Sequence, residues 1–418
     1  MMRMTNLNRL YLYNLLVSLS LAVAADFVFI DLLMLRLKIG VAAIGLMKSL
    51  IFFLPVVSYQ LCVPLLNKLR IDVELCAWCY LLRALLPALL PLAALCGAPP
   101  VVTHTLCLVL LPLAMVLATF ANSSLMMIYH RQLSPETFNR CSGKIGMLFS
   151  LPGTILGIPL ALALEHFTTG SDPRFYTAYT VFLLLGGAVQ IPAFLTLAGL
   201  RESRSPRPEE AVPAFSEQLN PYLDPRYRSI LVETVLQGAL NGCGLAYVAV
   251  FCLKTVGLSF SHVCIVRTTA SIIALALLPA AGRLADRIGY RNMFQYTALL
   301  IAAGMLLFIV YPNKWTLPVF ALLCWDGVLS LPGNAMYLCE QAAASRFAAD
   351  KNLAGYVASF NVSRGAGQFL GALGSGALFG LLTKNFGLGE IAAFRWVFAL
   401  WFPLLGLIAV TARRAIRE

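Results

Sequence analysis

Apolar residues in this chain run in long unbroken stretches, and polar residues collect in short breaks between them. The runs do not alternate in polarity as barrel strands would, so each is read as a helix. A helix crossing about 30 Å of hydrocarbon needs roughly 20 residues at about 1.5 Å each. That ruler predicts twelve spans, near residues 10–35, 43–66, 73–96, 101–128, 145–165, 177–200, 229–253, 260–281, 293–311, 317–341, 353–380 and 393–411. The breaks hold helix-ending residues, as in Ala98-Pro99-Pro100 and Thr168-Thr169-Gly170-Ser171-Asp172-Pro173. The longest polar break, 201–228, divides six spans from six. The predicted fold class is an all-α integral membrane chain. Its two pseudo-symmetric six-helix bundles are 1–200 and 229–418, with 201–228 as the linker.

The first span admits a second reading. Arg3, Arg9, the apolar run and Ala22-Val23-Ala24-Ala25 have the outline of a cleavable signal peptide. The run continues through Phe27-Val28-Phe29-Ile30 to Leu35, past any cleavage point, so it is read as an uncleaved helix.

Charge sharpens this picture. Only 12% of the 418 residues are charged, against 60% hydrophobic. Soluble domains carry about 25% charge, so an ordinary soluble enzyme and a disordered chain are both excluded. A net charge of +12 would suggest nucleic acid in a soluble protein. With the N-terminus inside, however, 20 of the 31 Lys and Arg fall on inner segments and 7 on outer ones. The excess therefore sets topology, with both termini cytoplasmic and no nucleic-acid partner expected. The eleven Cys sit mostly inside the apolar runs, where Cys acts as a small hydrophobe, and imply no disulfide framework.

Sliding the chain by 219 residues places Val63-Pro64-Leu65-Leu66-Asn67-Lys68-Leu69 on Gly282-Arg283-Leu284-Ala285-Asp286-Arg287-Ile288. The second segment, continued by Gly289-Tyr290-Arg291, resembles the G-x-L-a-D-r-x-G-r-k signature of the major facilitator superfamily. The resemblance implies alternating access between two bundles. Gly282 and Gly289 would then permit close helix packing, and Asp286 and Arg287 would help lock one conformation. The first-half copy is degenerate, with Asn67 for the Asp and Arg70 for the second Gly, so the lock is expected to be stronger in the second half.

Polar groups in hydrocarbon are costly, so ordered rows of them ask for a reason. Asn14, Ser18, Ala22 and Asp26 lie four apart on one face of the first span. The 219-residue slide lands Asn14 on Glu233, Ser18 on Gln237 and Ala22 on Asn241. Asp326, Ser330 and Asn334 repeat the spacing in the tenth span, and a slide of 212 brings Asn334 onto Asn122 of the fourth. The resemblance implies that these four spans line a central cavity. Asn and Ser also serve as interhelical hydrogen-bond glue, worth about 0.6 kcal/mol each, but glue has no reason to repeat on equivalent faces. Glu233, near an inner helix end, reads equally as a solvated mouth carboxylate.

Four cations fall within spans. Lys48 and Arg267 lie twenty residues before Lys68 and Arg287, near the outer face, where snorkelling explains them. Arg83 lies mid-span and is expected to pair with a neighbouring acid. Arg364, among small residues in Ser363-Arg364-Gly365-Ala366-Gly367, falls on Pro152 in the 212 slide and is a substrate-anion or counter-ion candidate. Gly153 and Gly157 in the fifth span, and the glycines of the eleventh, are read as close-packing seams. The Gly157-Ile158-Pro159 interruption departs from the family's antiporter motif.

No nucleotide loop, no H-E-x-x-H and no G-x-S-x-G are present, and the four His show no metal spacing. No cofactor is expected. The expectation is a monomeric, non-enzymatic transporter of the plasma (inner) membrane, driven by a proton or other ion and surrounded by lipid bilayer. Its substrate would be a small polar organic solute. An efflux antiporter for amphiphilic compounds is the alternative, kept open by Met115, Met126 and Met336, and a transporter-derived sensor or membrane enzyme is a more distant one.

Overall fold

The computed structural model describes residues 5–24, 27–69, 72–132, 135–168, 172–200, 220–288 and 353–415. It adds single helical positions between 292 and 309. The predicted tenth span and almost all of the ninth lie outside the described residues.

Helices α1 (Asn6–Ala24) and α2 (Phe27–Arg36) occupy the first predicted span, and α3 (Val41–Leu69) the second. The third holds α4 (Asp72–Leu85), a 3-10 turn (Leu86–Ala88) and α5 (Leu89–Leu95). Then come α6 (Pro100–Gln132), α7 (Pro135–Thr168) and α8 (Asp172–Ala198). After the short α9 (Asn220–Leu223), α10 (Pro225–Val250) runs into a π turn (Phe251–Thr255), followed by α11 (Phe260–Ile288). The chain closes with α12 (Leu353–Lys384), α13 (Glu390–Ala399) and α14 (Trp401–Ala415). Among the described residues there is no strand. Among the described residues, seven helical stretches are long and apolar enough to cross a membrane: Val41–Ser58, Val73–Leu95, Pro100–Leu125, Asp172–Ala198, Tyr227–Thr255, Ser359–Lys384 and Glu390–Ile408.

Two predicted spans are interrupted within the described residues. In the third, Pro87 and Pro91 lack the N–H that a continuous ladder needs, and the Leu89 N–H turns back to the Leu86 and Pro87 carbonyls. In the twelfth, Pro403 cannot donate to the Ala399 carbonyl, and the helix restarts at Trp401.

The internal repeat is visible in the helix bounds. The starts of α1 and α3, Asn6 and Val41, lie 219 residues before those of α10 and α11, Pro225 and Phe260. Helices α3 and α11 are both 29 residues long. Farther along, the end of α12 at Lys384 lies 216 residues after that of α7 at Thr168. The start of α13 at Glu390 lies 218 after that of α8 at Asp172.

By internal contacts the chain forms two units, residues 1–38 with 57–212, and residues 39–56 with 213–418. In the first, α1 packs on α7 and α8, and α4 on α6 and α8. Its helix ends at the side the charge pattern assigns outward are tied together. His104 Nε2 is 3.0 Å from the Leu37 carbonyl, Tyr176 donates to the Arg36 carbonyl (2.9 Å), and Arg36 pairs with Asp172 at 3.5 Å.

In the second unit α10 packs along α12 and α14. A Cβ on Gly238 would overlap the Arg364 carbonyl, one on Gly242 that of Gln368, and one on Gly371 that of Ala239. Glycine there is required by backbone-to-backbone approach. Gly157, expected to serve likewise in α7, faces open space. Phe53 lies 4.9 Å from Phe369 between ring centroids, holding segment 39–56 on α12. Lys254 and Glu390 pair at 2.6 Å.

Candidate functional site

In the first unit the predicted Asn14 and Asn122 are joined by tyrosines that the polar-stripe reading passed over. Tyr129 of α6 donates to Asn14 Oδ1 (2.7 Å), and Asn14 Nδ2 donates to the Leu10 carbonyl (2.7 Å). Tyr80 of α4 donates to Asn122 Oδ1. Tyr13 and Tyr80 meet edge to face at 6.2 Å, and Tyr13 Oη is 3.3 Å from Cys76 Sγ. Asn14, Tyr13, Tyr80 and Cys76 are buried, whereas Asn122 is exposed. A tyrosine hydroxyl inside a span needs a partner when buried, and that was the signal for these three rings. Cys76 donates to the Ala121 carbonyl (3.4 Å), linking α4 to α6. Ser18 is buried one turn beyond Asn14.

In the second unit Glu233, Gln237 and Asn241 descend one face of α10. The first two are 1% and 2% exposed, and Asn241 is half-buried. Glu233 is therefore not the solvated mouth carboxylate the sequence allowed. It lies eight residues into α10, about 12 Å along the axis. Its Oε1 has no hydrogen-bond partner, and no described cation pairs with it. Arg364 of α12 is half-buried, and its carbonyl lies against Gly238, one residue beyond Gln237. At the start of α10, Asp224 Oδ1 accepts the Tyr227 N–H (3.4 Å), capping the helix ahead of Pro225. Tyr227 then donates to the Tyr356 carbonyl at 2.6 Å, fastening α10 to α12.

The intramembrane cations depart from expectation. Lys48 does not snorkel: its side chain is 0% exposed. The turn before it is enclosed, because Gly45 sits beneath the Tyr247 hydroxyl and against Gly376. Arg267 is half-buried. Arg83 is buried, yet no described acid forms an ion pair with it. Asp31, which no motif singled out, is 0% exposed. Asp26, Asp326, Ser330, Asn334 and Gly289 lie outside the described residues. Gly282, Asp286 and Arg287 fall in the last turns of α11, with Arg287 exposed.

No protein-family model and no curated protein sequence matches the chain. Solved structures do. The nucleoside transporter NupG, in a point-mutant form, is 14% identical, with a TM-score of 0.72 over 99% of this chain and 100% of its own. A D-xylose-proton symporter is 14% identical, with a TM-score of 0.69 over 99% and 97%. A bacterial homologue of the human lysosomal transporter Spinster, inward-facing and unoccupied, is 14% identical, with a TM-score of 0.68 over 98% and 96%. At these identities the shared property is the fold. The chain shares the fold of these solved transporters, and its described helices are those of a multi-pass membrane architecture.

Proposed function

We propose that this chain is a twelve-helix secondary active transporter that moves a small polar organic solute by alternating access, coupled to protons. Its two bundles would be 1–200 and 229–418, with 201–228 as a cytoplasmic linker and Gly282, Asp286, Arg287 and Gly289 as a conformational lock. It would sit in the plasma (inner) membrane with both termini cytoplasmic. The observation that carries the coupling is Glu233, 1% exposed on a membrane-spanning helix with Oε1 unpartnered. An unpaired carboxylate there costs several kcal/mol, about what makes taking up a proton worthwhile. Gln237 and Asn241 follow at one-turn intervals and would meet a solute beside that proton. Asp26, Asp326, Ser330 and Asn334 would extend the same lining. The names of two neighbours, a nucleoside transporter and a xylose-proton symporter, support a hydroxyl-rich solute and symport.

The test is uptake by proteoliposomes offered labelled D-xylose, uridine, D-gluconate and L-lactate under an imposed pH gradient. Wild-type protein is expected to accumulate at least one of them above equilibrium. Glu233→Gln and Asp326→Asn should each lose gradient-driven accumulation while keeping counterflow exchange. Undiminished accumulation in both variants refutes the coupling role.

A further inference from the structure

Arg83 sits midway along the span Val73–Leu95, on the α4 face that also carries Cys76 and Tyr80. Its side chain is 9% exposed. A charged group at that depth is ordinarily matched by an acid or serves function. The helices packed on α4 offer no acid at that level. Helices α1 and α6 contain no Asp or Glu at all, and α8 has only Asp172, held by Arg36 at the outward end. The acids of α4 itself, Asp72 and Glu74, lie nine or more residues away, over about 13 Å along the axis.

What surrounds this face is neutral and hydrogen-bonding. Tyr80, one turn from Arg83, directs its hydroxyl to Asn122 Oδ1, which leaves the exposed Asn122 amide N–H groups as donors. Just beyond Arg83 the helix tightens into a 3-10 turn, because Pro87 has no N–H for the Arg83 carbonyl.

We propose that Arg83 reads an oxyanion on the transported solute, with the Asn122 amide as a second donor, so that the substrate is an organic anion rather than a neutral sugar or nucleoside. The guanidinium fork matches a carboxylate or phosphate edge and is less strongly hydrated than an ammonium, which suits a site that must dehydrate its ligand. This rests on the transporter reading above and names the class of solute.

Binding to the purified full-length protein is measured with matched pairs: D-gluconate against D-glucose, L-lactate against lactamide, and uridine 5′-monophosphate against uridine. At least one anion is expected to bind ten times or more tighter than its neutral partner, and the pair that does so separates carboxylate from phosphate. Arg83→Lys should weaken that anion about tenfold and Arg83→Gln more than thirtyfold, with any neutral binding unchanged. Asn122→Asp, which keeps the arginine but adds a competing carboxylate, should also lose the anion, so the test stands even where Arg83→Gln does not fold. Equal binding of neutral partners, or wild-type anion affinity in Arg83→Gln, overturns the proposal. So does recovery of binding in Arg83→Gln/Asp26→Asn, because that marks a structural ion pair. Binding and transport of neutral members alone overturn the anion assignment and leave the transporter standing. If no probe is bound or transported by wild-type protein, both readings fall.

Discussion

At the scale of single residues, polar side chains inside the spans sort by their partners. Asn14 is held on both sides, by Tyr129 and by the Leu10 carbonyl. Tyr129→Phe should therefore cost about 1 kcal/mol, read as a lower thermal midpoint, because it leaves a buried amide oxygen unmatched. Lys38 adopts φ 59°, a left-handed conformation costly for a residue with a Cβ, at an exposed turn. Lys38→Gly is expected to stabilise by about 0.5–1 kcal/mol in the same measurement, since glycine's lost freedom offsets part of the relief. The stripe of Asn14, Glu233, Gln237 and Asn241 was legible in sequence because fourfold spacing is a helix face. Tyr80 and Tyr129 were not, because a tyrosine reads as apolar until its hydroxyl is seen to have a partner. Lys48 was misread for a related reason. Depth along a helix follows from residue number, whereas the packing of its helix, where Gly45 meets Tyr247 and Gly376, depends on a distant part of the chain.

At the scale of elements, the seam between α10 and α12 depends on glycine. Gly371→Ala drives a methyl into the Ala239 carbonyl and should cost about 2 kcal/mol or more through overpacking. Gly374, on the same helix, meets nothing within 4 Å, and Gly374→Ala should be neutral or stabilising by up to about 1 kcal/mol. Comparing the two thermal midpoints checks the seam against a general intolerance of α12. The composition of α12 announced close packing, but which glycines make it could not be read from spacing. Gly157 shows the limit, since it carries the same small-residue pattern and faces open space. The helix breaks divide similarly. Pro87, Pro91 and Pro403 stand where ladders fail, while Pro112, Pro152, Pro159 and Pro192 are carried inside continuous helices. Neighbouring groups in a membrane protein can accommodate the carbonyl that a proline leaves without a donor.

At the scale of the whole molecule, the repeat is the main organising fact. Helix starts at Asn6 and Val41 recur at Pro225 and Phe260, although few letters are shared. The positive-inside pattern predicts that the turn after the third span faces outward. Cys96, exposed in that turn, gives a direct check. A membrane-impermeant maleimide should label it in intact cells, with Cys96→Ser as the control. Labelling that requires permeabilisation would invert the topology.

The sequence by itself determined the multi-pass helical architecture, because continuous apolar runs and the polar breaks between them are local and legible without coordinates. Tertiary structure decided which polar groups are matched. Glu233 is enclosed, Asn14 is bonded to Tyr129, and no acid on the helices packed against α4 reaches Arg83. Matching depends on residues tens to hundreds of positions apart, brought together by helix packing. A buried charge has its meaning only from what packs against it.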